Sequence, residues 1–330
     1  MRILLAIIIT ATFSFGCAML EGEQTTTDSG GVTTSPAPTS PAPTPVEPTV
    51  EEESSVTSIR VDSGVYSNCA IKADDTVVCW GVESGSHYYG QNNVPSDLGS
   101  VKSVAAGGWH TCAIKADDTV ACWGRDDDGQ STVPVGLGTV KSVSASYHHT
   151  CAIKADDSVE CWGQNNYGQT TVPSGLGSVK SVSAGSNHNC AIKADDSLQC
   201  WGGDNYGQSS VLSGLGSVKS VATGDYYTCA IKADDSVECW GSNSYGQNNV
   251  PSDLGSVKSV AASFYNTCAI KADDSVECWG MTGYSVPSGL GSVKSVATGT
   301  FGACAIKADD TVECWGKDIY GQLNVPAELQ

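Results

Sequence analysis

The chain has 330 residues, enough for two average domains or for one large repeat fold. Its 17 Lys and Arg stand against 36 Asp and Glu, a formal net charge of −19, which argues against nucleic acid and against a polybasic membrane contact. Hydrophobic residues make up 40%, enough for a packed core, and a mean hydropathy of −0.12 excludes a multispanning membrane protein.

Residues 1–16, MRILLAIIITATFSFG, place one Arg ahead of an apolar run too short to span a bilayer comfortably. That is the pattern of an export signal. It runs through Ser14-Phe15-Gly16 into Cys17 and resembles a bacterial lipobox, in which the cysteine becomes the lipidated first residue; a cleaved signal with an incidental cysteine is the alternative. The chain has 15 cysteines, and setting Cys17 aside leaves an even set. Ala18 in place of Asp points to the outer membrane or cell surface of a bacterial envelope. Residues 17–55 then read as a lipid-anchored Thr/Ser/Pro-rich linker, with TTSPAPTSPAPTPVEPTVEEE at its centre. Proline excludes helix and sheet ladders there, and no apolar face offsets the ordering entropy. The expectation is a disordered, partly polyproline tether holding a folded domain away from a surface.

From residue 56 to residue 330 the chain repeats itself. The unit CAIKADD(S/T)(V/L)xCWG recurs with first cysteines at Cys69, Cys112, Cys151, Cys190, Cys229, Cys268 and Cys304, in steps of 43, 39, 39, 39, 39 and 36 residues. The long step carries the loop GVESGSHYYGQ, and the short one carries GMTGYSVP, which lacks the usual Gly-Gln. Each copy reads as four short strands: VKSVAAG-like, TCAIK, SVECWG and the QTTVP stretch, separated by Gly, Pro, Asn and Asp. Seven such copies predict an all-β, seven-bladed β-propeller with four-stranded blades, a β-solenoid being the runner-up. The domain opens on a first-type strand (Val56–Val61) and closes on a fourth-type one (Gln322–Val325), so the ring needs no exchanged strand to close.

Within a copy, a three-residue turn at Ala155-Asp156-Asp157 places Asp157 in the left-handed region, which Asp tolerates. Lys154 then faces Ser158, Ile153 faces Val159 and Cys151 faces Cys161, at a separation a disulfide accepts. The same spacing predicts the bridges Cys69–Cys79, Cys112–Cys122, Cys151–Cys161, Cys190–Cys200, Cys229–Cys239, Cys268–Cys278 and Cys304–Cys314. Zinc is the weaker alternative, because two cysteines across a hairpin supply only two ligands. Disulfides and export are mutually consistent.

The pattern G-x-x-H-T-C-A-I … V-x-C-W-G-x-N-x-Y-G-Q, recurring over residues 56–330, resembles the regulator of chromosome condensation repeat, which builds seven-bladed propellers. The stretch VECWGQNNYGQTTVPSGLGSVKSVSAGSNHNCAIK is most similar to bacterial secreted members, especially the propeller-type β-lactamase-inhibitory protein. The family spans several functions, so the resemblance implies the fold and not the activity. Nucleotide exchange on a GTPase, a nuclear activity, does not suit an exported chain. Seven of the eight tryptophans belong to the repeated CWG and read as packing rather than light sensing.

In an up-and-down sheet, alternate connections share a face. One face carries the ADD turns and the VPSGLGS-type links, which are nearly identical in every copy. The other differs from copy to copy and is rich in aromatics, which give large contact area at low entropy cost. The inhibitory relative implies partner contacts from aromatic loops on one face; the matching residues here are Tyr66, Trp109, Tyr147, Tyr226, Tyr227, Phe264, Tyr265 and Phe301, with His148 beside them. His110, His149 and His188 share a repeat position and read as structural hydrogen bonders. Asp126-Asp127-Asp128-Gly129 lacks full calcium spacing and reads as a solvated loop. Tyr89, Tyr167, Tyr206, Tyr245 and Tyr320 precede Gly-Gln and read as repeat scaffold. No catalytic constellation, cofactor motif or metal set stands out. The sequence therefore predicts a monomeric, surface-anchored, non-catalytic module that binds a protein partner, with a glycan-binding propeller as the alternative and an enzyme with a central-channel site as the third reading.

Overall fold

The structure is a computed structural model and describes residues 59–281 and 285–330. The export signal, Cys17, the linker and the start of the first strand at Val56 all lie outside the described residues.

Seven three-stranded antiparallel sheets follow one another along the chain. They span residues 60–81, 101–124, 140–163, 179–202, 218–241, 257–280 and 293–316, here blades 1 to 7. Blade 3 is representative, with an inner strand Val140–Ala145, a middle strand His149–Lys154 and an outer strand Val159–Gly163. Each inner strand contacts the inner strand of the next blade, and that of blade 7 contacts that of blade 1. Together they surround a central cavity of about 290 Å³. The chain is a seven-bladed propeller.

The hairpin register is the one the spacing predicts. Cys151 opposes Cys161 and Ile153 opposes Val159, while the Lys154 amide donates to the Ser158 carbonyl at 2.8 Å. Asp157 has φ 67°, and its six counterparts lie between 61° and 67°. All seven predicted disulfides are formed, with Cα separations of 4.0–4.1 Å. Bridges in every blade are bonds of an oxidising compartment.

The core lies between blades rather than within them. Successive side chains of a strand point to opposite faces. In the middle strand of blade 3, Cys151 and Ile153 therefore pack with Leu176, Val179 and Trp201 toward blade 4. Ala152 packs with Trp162 and Ile114 toward blade 2. Every seam repeats this arrangement, including the closing one, where Ala70 and Trp80 meet Ile306, Val312 and Leu329.

The fourth predicted strand is not formed. After Gly-Gln the chain turns, with the Thr171 amide bonding Gly168 and the Val172 amide bonding Thr170. Pro173 has no amide to offer, so no ladder can start. The segment serves the next blade instead. The Gln130 carbonyl accepts from the Trp162 indole at 3.0 Å and from the Thr150 hydroxyl at 2.9 Å. The same bridge closes the ring without an exchanged strand, because the Gln322 carbonyl accepts from Trp80 at 3.0 Å and from Asn68 at 2.7 Å.

One seam departs from this rule. Repeat 6 lacks Gly-Gln, and among the described residues the buried Trp315 indole of blade 7 has no hydrogen-bond partner. Ala303 stands where other copies have Thr or Asn. A cavity of about 170 Å³ lies there, lined by Asn266, Trp279, Met281, Ala303 and Trp315.

Candidate functional site

The two ends of the propeller differ in what holds them. At the ADD end, the first Asp of each turn accepts from the Ser or Thr two residues on, as Asp156 does from Ser158 at 3.0 and 2.6 Å. These bonds hold the exposed carboxyls below their usual range. In six of the seven blades the second Asp pairs with the inner-strand Lys of its own blade, for example Lys141–Asp157 at 2.6 Å. A register shift beside that Lys frees it from the ladder. The Asp157 carbonyl accepts the Val179 amide of the following blade at 3.0 Å. The constancy of ADD is therefore structural, and contrast with it is not by itself an argument for function at the other end.

At the other end, each inner strand passes to its middle strand through a two-residue turn. The bond closing it runs from Gly107 to His110, from Ser146 to His149 and from Gly224 to Tyr227, at 2.9–3.0 Å. The two central residues are the variable pairs, and the structure separates them into two rings. Val65, Gly108, Tyr147, Ser186, Asp225, Phe264 and Thr300 line the mouth of the central channel. Tyr66, Trp109, His148, Asn187, Tyr226, Tyr265 and Phe301 face outward, onto the loops that follow the outer strands.

The outward ring is continuous with those loops. Tyr66 stacks on His87 at 4.5 Å and meets Tyr320 edge-on at 5.1 Å. The Arg125 guanidinium lies between the Trp109 ring at 4.9 Å and the Tyr89 ring at 5.3 Å. His148 bonds Asp128 at 2.9 Å and sits 5.0 Å from Trp109. Burial lowers the His148 pKa, with Asp128 acting against it. Tyr226 packs on Tyr206 at 5.1 Å, Tyr265 on Tyr245 at 4.2 Å and Phe301 on Tyr320 at 5.6 Å.

The structure therefore brings together Tyr66, Trp109, Tyr147, His148, Tyr226, Phe264, Tyr265 and Phe301 on one face. Tyr227 is a correction. It is fully buried, and its hydroxyl donates to the Asn266 carbonyl at 2.6 Å beside the Thr267 hydroxyl at 2.9 Å. It occupies the repeat position of His110, His149 and His188, whose Nε2 atoms bond Thr150, Asn189 and Thr228 of the next blade at 2.7–2.9 Å. A side chain at that position belongs to the seam, whatever its type. Burial pushes those three imidazoles down to about 3, 4 and 3.

Sequence reasoning missed the loop tyrosines. Tyr89, Tyr167, Tyr206 and Tyr245 are 41–55% exposed, on the same face as the turn aromatics. Their repetition made them look like scaffold, but the buried member of Tyr-Gly-Gln is the glutamine. Gln169 is inaccessible, and its side-chain carbonyl accepts the Tyr167 amide at 2.8 Å. The three aspartates of the Asp126-Asp127-Asp128 loop are each engaged within the chain. Asp126 accepts from Ser131 and Thr132, Asp127 pairs with Arg125, and Asp128 pairs with His148.

Residues 101–130, 140–169, 179–208 and 218–247 match the repeat described as Regulator of chromosome condensation (RCC1). No curated protein matches the chain. Among solved structures it is similar to the ectodomain of the Physcomitrella patens receptor kinase CR4, at 25% identity and a TM-score of 0.66 over 79% of this chain and 73% of that one. It is also similar to the CRINKLY WD40 ectodomain of the Arabidopsis thaliana receptor kinase ACR4, at 24% identity and 0.65 over 80% and 96%. Yeast RCC1 (Prp20), in a structure with Kap60, aligns at 18% identity and 0.59 over 67% and 71%.

Proposed function

Because the chain is a seven-bladed propeller of regulator of chromosome condensation repeats, we propose that it is a non-catalytic module that binds a protein partner through its aromatic face. The carrying observation is the two-ring arrangement. Turn aromatics from six of the seven blades, together with the exposed loop tyrosines, form one surface, on a scaffold whose other end is committed to ion pairs and turns. Rigid Tyr and Trp side chains that lose little entropy on contact suit a protein surface. The receptor ectodomain likeness supports an extracellular binding role, and Cys17 with the Pro-rich linker supports presentation from a bacterial envelope, with the folded part monomeric.

The test is capture of envelope and culture proteins by the full chain, beside a variant carrying Trp109→Ser, Tyr226→Ser and Tyr265→Ser. A protein retained by the parent and lost by the variant is the expected result. Equal retention by both overturns the reading. Loss of capture in the presence of free sugar moves it to a glycan-binding propeller.

A further inference from the structure

The mouth of the channel holds one group that the aromatic surface leaves unexplained. Of the seven residues in the inner ring, Asp225 is the only carboxylate. It lines a cavity of about 90 Å³ that draws on all seven turns. The residue is 4% exposed, and its Oδ2 has no hydrogen-bond partner. Ser186, on the adjacent turn, also lines the cavity, and its buried hydroxyl stands against the Asp225 carboxyl. Two rings stand over the same mouth, Tyr147 and Phe264, edge to face at 5.7 Å. The rest of the wall is Gly, Ala, Ser, Thr and Val65. A buried carboxylate left unpaired is costly, and such groups normally meet a cation.

We infer that this mouth receives a lysine side chain of the protein partner, with its ammonium seated between Asp225 and Ser186 and its methylenes between Tyr147 and Phe264. The inference rests on the protein-binding reading of the face and names what the centre of that face takes. The charge balance favours a basic contact. Glu83, Asp126, Asp127, Asp204 and Asp318 stand exposed on the outer loops of this face against Arg125 and Lys317. Aromatic walls attract an ammonium through their π-faces. A lysine brings three donors on a compact head. An arginine brings five in a plane, and a cavity of about 90 Å³ with one carboxylate and one neighbouring hydroxyl would leave most of them unmet.

Burial pushes the Asp225 carboxyl up to about 7, with the nearby Ser186 hydroxyl acting the other way. The groups that feel its charge are Tyr147, Tyr226, Tyr227 and Tyr265, each raised by burial and neutral below pH 9. His188, which ends the neighbouring turn, is held down to about 3 and stays neutral as well. An ammonium pairs with the ionised carboxylate, so its affinity rises as pH passes upward through that range.

The test is calorimetric titration of the full chain with Nα-acetyl-lysine methylamide, beside the norleucine and arginine counterparts and cadaverine. The lysine compound is expected to bind, and to bind roughly five- to tenfold more tightly at pH 8 than at pH 6. The norleucine compound should not bind, and Asp225→Asn should abolish lysine binding while retaining the parent's thermal transition. The pH comparison uses the parent alone, so it stands even if the variant folds poorly. Equal binding of norleucine, no pH dependence, or no saturation at millimolar concentration each overturns the inference. Tighter binding of cadaverine than of the lysine compound overturns the assignment to a protein side chain. A partner captured equally by the parent and Asp225→Asn sinks the lysine inference and leaves the aromatic face standing, whereas a parent that captures nothing sinks the face reading.

Discussion

The tryptophan of CWG carries two separable contributions, and the seventh copy separates them. Trp162 packs at its seam and donates to Gln130, whereas Trp315 packs at its own seam with no acceptor among the described residues. Trp162→Phe and Trp315→Phe delete similar volume, so their difference isolates the hydrogen bond. The loss for Trp162→Phe should exceed that for Trp315→Phe by about 1 kcal/mol in urea denaturation. The buried histidines make a second residue-scale prediction. The unfolded imidazole takes up a proton near pH 6.5, but His149 in the folded state does so only near 4. Protons therefore favour the unfolded chain as pH falls from 6.5 to 4, and stability is lost across that window. Asp62 and Asp225 are raised and act in the opposite sense. The clean readout is thus the parent against His149→Gln, with the parent losing ground between pH 7 and pH 5. Tyr227 shows what residue type alone conceals. It reads as one more aromatic beside Tyr226, yet strand alternation sends it into the seam.

At the scale of the element, the hairpin was fully legible. Spacing between cysteines, a turn that tolerates Asp at positive φ and the period of two fix register and bridge together. Each bridge closes a sequence separation of 10, worth roughly 2–3 kcal/mol on the chain-entropy account. The fourth strand was misread because a Thr-Thr-Val run has the composition of a strand. Composition does not say that Pro173 and two local turns consume its amides. The inner turns carry a different constraint, the close approach of neighbouring backbones. A Cβ on Gly224 would stand 2.3 Å from the Ser263 carbonyl oxygen and 2.1 Å from Tyr227 Cε1. Gly175 has open space and no positive φ. Gly224→Ala should therefore cost more than about 2 kcal/mol, and Gly175→Ala should leave the melting temperature unchanged or slightly raised.

At the scale of the molecule, the seams decide where the ring is weakest. Between blades 6 and 7 there is no glutamine bridge among the described residues, and a cavity takes its place. Amide hydrogen exchange should show the middle strands bordering that seam, Asn266–Lys271 and Gly302–Lys307, exchanging before His149–Lys154. Exchange at the same rate in all seven blades would refute this. The propeller and its count of blades were legible from periodicity. The face was legible only in part. Sequence distinguishes variable from constant positions, but the division of each variable pair into a mouth residue and an outward residue comes from the turn geometry. So does the partnership of Tyr206 with Tyr226. The Asp-to-Val amide bond recurs at successive joints, so most blades present the same edges to their neighbours. Such blades are exchangeable parts. Duplicating, deleting or shuffling whole repeats within a ring of seven would redraw the face while leaving the joints intact. Two joints are exceptions. Between the sixth and seventh copies the missing glutamine falls beside Ala303, and into the first blade, whose inner strand carries no lysine, no Asp-to-Val bond is found among the described residues. Copies at those two joints are therefore exchangeable only together with their neighbours, which gives an otherwise interchangeable series a fixed order there.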